Sequence, residues 1–338
     1  MSKRSNHALT VMNAVLCLGV VLIHLNNAPL EELPTGSLWY ILAFSVNRVL
    51  SFAVPAFLFL SGYKLSLRYE GARLPIGRFY LGRLTKIVLP YLIAVAIYFV
   101  YFYIKDWVLL RDLPEYVFLG TLAAQFYYVV LAVQFYLLFP LLRYAAGRWP
   151  RASLVVACLS TLLFQQFAPI PYSDRFFVSY LFYFVLGILA SRGLVAKAVE
   201  RSPRFFGTAW FIAAAFHTCL SYLQIIGRIA YSLAGTMNFV CVTLAILLLL
   251  PICEKWGKGR FLGFCKMLGN GSYAAYLYHV LLIFILKYDV YSRVELPLVA
   301  RYAVSMAAVY GGIVVYACLK SRFVKNRARR HSKMEICA

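Results

Sequence analysis

The sequence predicts an all-α polytopic membrane protein, a bundle of about ten transmembrane helices with both termini in the cytoplasm. Three observations carry that prediction. The 338-residue chain is 63% hydrophobic and only 14% charged, whereas a soluble domain is about 45–50% apolar and about 25% charged. Apolar runs of about 17–25 residues, the length that a bilayer core demands, recur from end to end. The Lys and Arg residues, finally, concentrate in alternate connections between those runs.

Taken in order, the predicted spans are 8–25, 39–64, 81–104, 120–142, 153–169, 175–191, 206–224, 232–252, 271–288 and 298–319. The apolar stretch from Tyr116 to Pro140 is longer than one helix requires, so its first part is expected to be a short re-entrant or interfacial piece. With the N-terminus inside, the cytoplasmic stretches are 1–7, 64–86, 143–152, 192–205, 253–270 and 320–338. They hold 26 of the 34 Lys and Arg, against seven in the outer connections and Arg48 within the second span. Acidic residues distribute the other way, eight outside and four inside. An odd number of spans would break this alternation. The chain reads as one membrane domain over 1–338, ending in a short basic cytoplasmic tail at 320–338 that can touch anionic headgroups.

Orientation of the helices accounts for the net charge of +22, so nucleic acid is not an expected partner; the lipid bilayer is. The first span leaves through His24-Leu25-Asn26-Asn27-Ala28-Pro29 without a small-x-small site, which favours an uncleaved signal anchor. Five of the eight cysteines lie in spans and three on the cytoplasmic side, with no CxxC and no Cys/His ligand spacing. Neither a disulfide framework nor a metal site is expected.

Ionisable groups inside apolar runs are costly and therefore functional candidates. His24 closes the apolar run of the first span, and Asn13 stands eleven positions earlier. Eleven steps of 100° place the two on one face, about 16 Å apart along the axis. The competing reading is a histidine at the headgroup boundary. Arg48, in the outer half of the second span, either snorkels outward or pairs within a polar cavity. Tyr276 and His279 are neighbours at i, i+3, and Tyr273 adds a hydroxyl on the same side; such a stripe serves either chemistry or packing. His217 has apolar and small sequence neighbours and reads as structural. Arg83 and Lys86, also i, i+3 and just before Pro90, either grip a phosphate or mark the positive-inside boundary.

Five runs carry a family resemblance. They are Asn13 to His24; Val54-Pro55-Ala56-Phe57-Leu58-Phe59-Leu60-Ser61-Gly62-Tyr63; Arg83-Leu84-Thr85-Lys86 leading to Pro90-Tyr91-Leu92; Gln125-Phe126-Tyr127 followed by Phe135 to Arg143; and Leu268-Gly269-Asn270-Gly271-Ser272-Tyr273 through His279. In this order they resemble acyltransferase family 3, the bacterial membrane-bound O-acyltransferases that modify surface glycans. The likeness runs from about residue 8 to 319. Two departures stand out: the family usually has Arg or Lys where Asn13 stands, and often His-x-Trp where Gln125 and Tyr127 stand.

The resemblance implies a multi-pass transferase of the bacterial plasma (inner) membrane. Its co-substrate would be cytoplasmic acyl-CoA, most often acetyl-CoA, with no permanently bound cofactor, and its acceptor a hydroxyl of an envelope glycan or glycolipid. Arg83 and Lys86 would help hold the CoA phosphates. His24 would act as general base or as transient acyl carrier, since an imidazole with an ordinary pKa near 6.5 suits proton transfer at neutral pH. Asn13, Arg48, Ser61, Tyr63, Tyr273 and His279 would be supporting residues. Three other classes compete: a transporter, which should show a repeat with broken helices that the sequence lacks; a carrier that has lost catalysis, which Asn13 would suit; and a ligand-binding membrane module.

Overall fold

A chain with no water along most of its length must satisfy its backbone groups internally, and helices do so. In the computed structural model of the protein, every regular element among the described residues is helical. The described residues are 3–168, 170–193 and 202–336, with side chains within 7–324 and at 326. Lys197 and Arg201 of the predicted 192–205 stretch, and residues 337–338 of the tail, lie outside them.

The helices are α1 (Lys3–Leu25), α2 (Asn27–Glu32), α3 (Leu38–Leu50), α4 (Ala53–Arg68), α5 (Ile76–Arg83), α6 (Leu89–Tyr103), α7 (Leu113–Phe118), α8 (Tyr127–Arg148), α9 (Pro150–Phe167), α10 (Leu181–Ala190), α11 (Pro203–Ile225), α12 (Ala234–Trp256), α13 (Gly259–Ile285) and α14 (Leu298–Ile336). Eight stretches are long and apolar enough to cross a membrane: His7–Glu32, Leu38–Arg68, Ile76–Tyr103, Ala124–Arg148, Pro203–Ile225, Ala234–Trp256, Gly259–Val290 and Leu298–Val324. The two other predicted spans, 153–169 and 175–191, correspond to α9 and to the shorter apolar piece Phe177–Ala190. The first part of the Tyr116–Pro140 run is not one continuous helix: it holds the end of the short α7 and a 3₁₀ turn at Ala124–Phe126 before α8 begins.

Several helices overrun the ends predicted for them. The stretch 253–270 was expected to be a loop, but only residues 257 and 258 separate α12 from α13; α14 likewise continues through the basic tail to Ile336. Charge ends the lipid-compatible run without ending the helix, because Lys and Arg are good helix formers. The second span, conversely, is broken at Ser51 and Phe52. Pro55 explains the break: its ring collides with the carbonyl four residues back, that of Ser51.

The chain divides into two compact units, Met1–Asn47 with Leu250–Ala338, and Arg48–Leu249. In the first, α1 and α13 run parallel, since Asn13 meets Ser272 and His24 meets His279. α14 runs antiparallel to α1: Tyr302 donates to Asn26 and Tyr310 to the carbonyl of Leu18. The start of α1 and the end of α14 therefore lie at the same end of this unit. Ion pairs Lys287–Glu31 and Arg301–Glu32 fasten the opposite end.

In the second unit, α10 is buried from Phe182 to Ala190. Its closest neighbour is α4, and the contact depends on two glycines. A Cβ on Gly62 would lie 2.3 Å from the Phe184 carbonyl oxygen, and one on Gly187 would lie 2.1 Å from that of Phe59. Lipid offers no hydrophobic drive for two helices to associate, so small residues that let backbones touch supply the packing. Gly62 of the Ser-Gly-Tyr motif thus has a structural role. Phe135 of α8 stacks on Phe184 at 4.6 Å, closing the other side.

Candidate active site

Several of the predicted site residues group together within each unit, while Arg48 and Tyr63 stand apart. In the first unit they form a seam between α1 and α13. Asn13 Nδ2 donates to Ser272 Oγ at 3.0 Å, and Ser272 Oγ donates to the Gly269 carbonyl at 3.1 Å. Cys17, one turn on, points its thiol toward the Ser272 carbonyl at 3.7 Å. At the other end of the seam the rings of His24 and His279 lie 5.1 Å apart between centroids. The face shared by Asn13 and His24 is therefore the face turned to α13. Tyr273 lies one residue past Ser272, and the Tyr276 ring is 6.1 Å from that of His279.

His279 is buried, and its Nδ1 sits 2.8 Å from the Tyr276 carbonyl and 3.1 Å from that of Ala275. A carbonyl only accepts, so Nδ1 carries the proton and Nε2 is left as the acceptor. Nε2 is buried and has no hydrogen-bond partner among the described residues. An uncompensated acceptor beside a second imidazole is costly in a structural core and useful in a proton-handling site.

In the second unit, Arg83 ends α5 and Lys86 lies in the π-turn Leu84–Val88 that follows. The widened turn separates two residues that a regular helix would keep side by side. Arg83 is half-buried, its guanidinium 5.2 Å from the Phe79 ring centroid and 5.0 Å from that of Tyr136. Its Nε is buried and has no hydrogen-bond partner among the described residues. Lys86 is exposed. Ser61 interacts with the hydroxyls of Tyr128 and Tyr136, and Tyr136 also with Arg83. Ser61 and Arg83, far apart in sequence, thus share one cluster. Tyr63 is buried and packs on Phe59, two residues from Ser61 on another face of α4.

Arg48 is not in that cluster. It lines a narrow cleft with Trp210, His217 and Cys241. His217, expected to have apolar surroundings, hydrogen-bonds through Nδ1 to the Tyr231 hydroxyl at 3.1 Å and lies in the field of Arg48. Its sequence neighbours are apolar and small; in space it also meets a hydroxyl and a guanidinium from other segments. Sequence reasoning also missed Tyr128 and Tyr136 around Ser61 and Ser272 opposite Asn13. Tyr136 and Ser272 were inside quoted motifs, and the usable signal was their hydroxyl within an apolar run.

The comparison that decides the family is a match over residues 6–318 to the family model Acyl_transf_3, described as an acyltransferase domain. The chain belongs to acyltransferase family 3. No curated protein and no solved structure matches it. Membership makes the chain a membrane acyltransferase by family, and the apolar helices agree with a multi-pass membrane protein. Asn13 and Gln125 each have a local partner. Asn13 satisfies Ser272, a role that needs an amide and no charge. Gln125 is buried and donates to the Tyr98 hydroxyl at 2.8 Å, joining the segment before α8 to α6.

Proposed function

We propose that this acyltransferase moves an acyl group, most simply acetyl, from cytoplasmic acyl-CoA to a hydroxyl of an envelope glycan or glycolipid. It would sit in the bacterial inner membrane with ten spans and both ends inside, α9 and the 177–190 piece completing the number. The observation that carries the chemistry is the His24–His279 pair. His279 is fixed as the Nδ1–H tautomer by the carbonyls of its own helix, so its Nε2 can accept from the imidazole of His24 and hold it. His24, half-buried at the end of α1, takes the proton of the acceptor hydroxyl as general base. The acceptor oxygen bonds to the acyl carbon, the carbon–sulfur bond of the thioester breaks, and the CoA thiolate takes up the proton.

At the donor side, Arg83 and Lys86 would hold the CoA phosphates. The flanking rings hold the Arg83 guanidinium in place, and a planar, pre-oriented cation suits a phosphate. This reading also fits Asn13. A relay of charge from that position would need a cation, whereas the His24–His279 pair needs none there.

The test is transfer itself. Membranes carrying the protein are given acetyl-CoA labelled in the acetyl group, and label is followed into envelope glycan. Label in glycan with the intact protein, and none with His24→Ala, is the expected result. Equal labelling by both, or none by either, removes the proposal. Label left covalently on the intact protein but absent from His24→Ala would identify His24 as carrier rather than base.

A further inference from the structure

At the end of the first unit fastened by the Lys287–Glu31 and Arg301–Glu32 pairs, three helices are tied to one side chain. Asn26, buried between α1 and α2, donates through Nδ2 to Asn47 Oδ1 on α3 at 2.9 Å. Its Oδ1 accepts from the Tyr302 hydroxyl on α14 at 2.7 Å. Asn47 in turn donates to the Ile23 carbonyl at 3.3 Å. These bonds set the spacing of α1, α3 and α14, and the side chains around them do not fill it. A cavity of about 400 Å³, open to the surface, is left within the unit.

Trp39, Leu42, Ala43 and Val46 of α3 line it. Their i, i+3, i+4, i+7 spacing is a single helical stripe, so one whole face of α3 is turned to the cavity. That face is poorly covered: Trp39 is 65% exposed and Leu42 46%. Leu22, Pro29 and Leu33 form a second wall, and Leu298, Val299 and Tyr302 a third. The polar side chains in these walls are Asn26, Tyr302 and the indole of Trp39, and the first two are already bonded to one another. A water needs about two to four polar partners and finds too few here. Atoms that line an unfilled space forfeit their dispersion contacts, and native packing leaves few such spaces. Hydrocarbon restores those contacts at no polar cost.

The exposed lining residues belong to α3 and α14, which lie in stretches long and apolar enough to cross a membrane. The cavity therefore continues a surface that faces lipid. A helix from a second copy, about 10 Å across, would need a groove along the span. This cavity reaches only the last turn of α1, α2, the first part of α3 and the first turn of α14. Its volume falls within the usual range of about 300–1,000 Å³ for ligand pockets. The charges at this end select the headgroup. Lys287, Arg301, Glu31 and Glu32 are all partly exposed, and their charges sum to zero. A head with both a phosphate and an ammonium finds a counter-group for each, whereas a purely anionic head meets as many carboxylates as cations.

We propose that this cavity holds one alkyl chain of a zwitterionic membrane phospholipid, its phosphate toward Lys287 or Arg301 and its ammonium toward Glu31 or Glu32. Binding here is independent of acyl transfer.

Trp39 reports on the cavity directly. The full chain is reconstituted into phosphatidylglycerol vesicles with a rising share of phosphatidylethanolamine brominated along its chains. Trp39 emission is the difference between the intact protein and Trp39→Phe. Quenching should saturate at a share of brominated lipid about 3- to 10-fold lower than for brominated phosphatidylglycerol in phosphatidylethanolamine vesicles, the size of one net hydrogen bond. Ala43→Phe, which fills the cavity from its wall, and Val46→Phe, at its more exposed edge, should each abolish that preference; gel filtration and thermal melting check their folding. Lys287→Gln combined with Glu31→Gln should remove the preference between headgroups while Trp39 remains quenched. Leu137→Phe, at an exposed apolar position of the second unit, should change nothing. The proposal is overturned if quenching only follows the bulk lipid composition, if both filling variants behave as the intact protein does, or if phosphatidylglycerol quenches equally well or better. It is overturned too if a second copy shields Trp39 from every lipid, which gel filtration would show as a dimer.

Discussion

His24 and His279 are close enough to act as a unit, and their environments assign them unequal parts. His279 is locked by two carbonyls of its own helix, whereas His24, at the end of α1, is the less buried residue of the two. We therefore expect His24→Ala and His24→Gln to insert and fold but lose about 10²–10⁴ in transfer rate, the usual cost of removing an acid–base group. Normal transfer by His24→Gln, which keeps size and polarity but cannot titrate, would reduce His24 to an interfacial side chain. His279→Gln should cost less, because it positions His24 and does not touch the acceptor. A loss equal to that of His24→Ala would make the two histidines partners in proton transfer. On the donor side, Arg83→Ala should weaken acyl-CoA binding more than Lys86→Ala. The guanidinium is held between two rings, while Lys86 must give up side-chain freedom to reach a phosphate. Each lost contact is worth about 1–3 kcal/mol, read as a change in acyl-CoA affinity. Unchanged affinity in the double variant would return both to signals of orientation.

Among elements, α4 and α10 show most directly what this fold depends on. Each places a glycine where the partner's backbone carbonyl leaves no room for a methyl group. Gly187→Ala is expected to cost at least about 3 kcal/mol, the upper end of overpacking penalties. The readout is a lowered melting temperature and a smaller folded fraction in detergent, with Gly207→Ala as control, since nothing lies near its Cβ. An unchanged melting curve would mean that the two helices can separate freely. The positions of the long elements were legible in the sequence because apolar run length is a direct demand of the bilayer. Their ends were not. Lys258, Arg260 and Lys266 closed the predicted membrane run, yet α13 extends through the latter two, since a charged residue leaves the lipid without leaving the helix. The break at Ser51 was equally available in principle, through Pro55. Apolar residues on both sides of it make one continuous run, which hides the break.

For the whole molecule, topology is the testable quantity. In the first unit the beginning of α1 and the end of α14 share one end, which requires an even number of crossings between them; both eight and ten satisfy it. Cysteines substituted at Glu31, Asp112 and Asp174 should react with an impermeant reagent added to intact cells. Those at Arg73, Arg148 and Lys258 should not. Labelling of Arg148→Cys would exclude ten spans with both ends inside.

By itself the sequence determined that this chain is helical, multi-pass and asymmetric in charge, because those properties follow from composition and run length summed over many residues. It also supplied the motifs that place the chain among membrane acyltransferases, and it set Asn13 and His24 on one face by helical period alone. Only the tertiary structure decided what that face meets. Ser272 opposite Asn13, His279 opposite His24, Tyr136 against Arg83 and Tyr231 beside His217 are pairings across 14 to 259 residues of chain. A helix fixes which side chains share its own stripe, but the neighbour that the stripe touches is chosen by packing, and packing here is governed by where two backbones can come close.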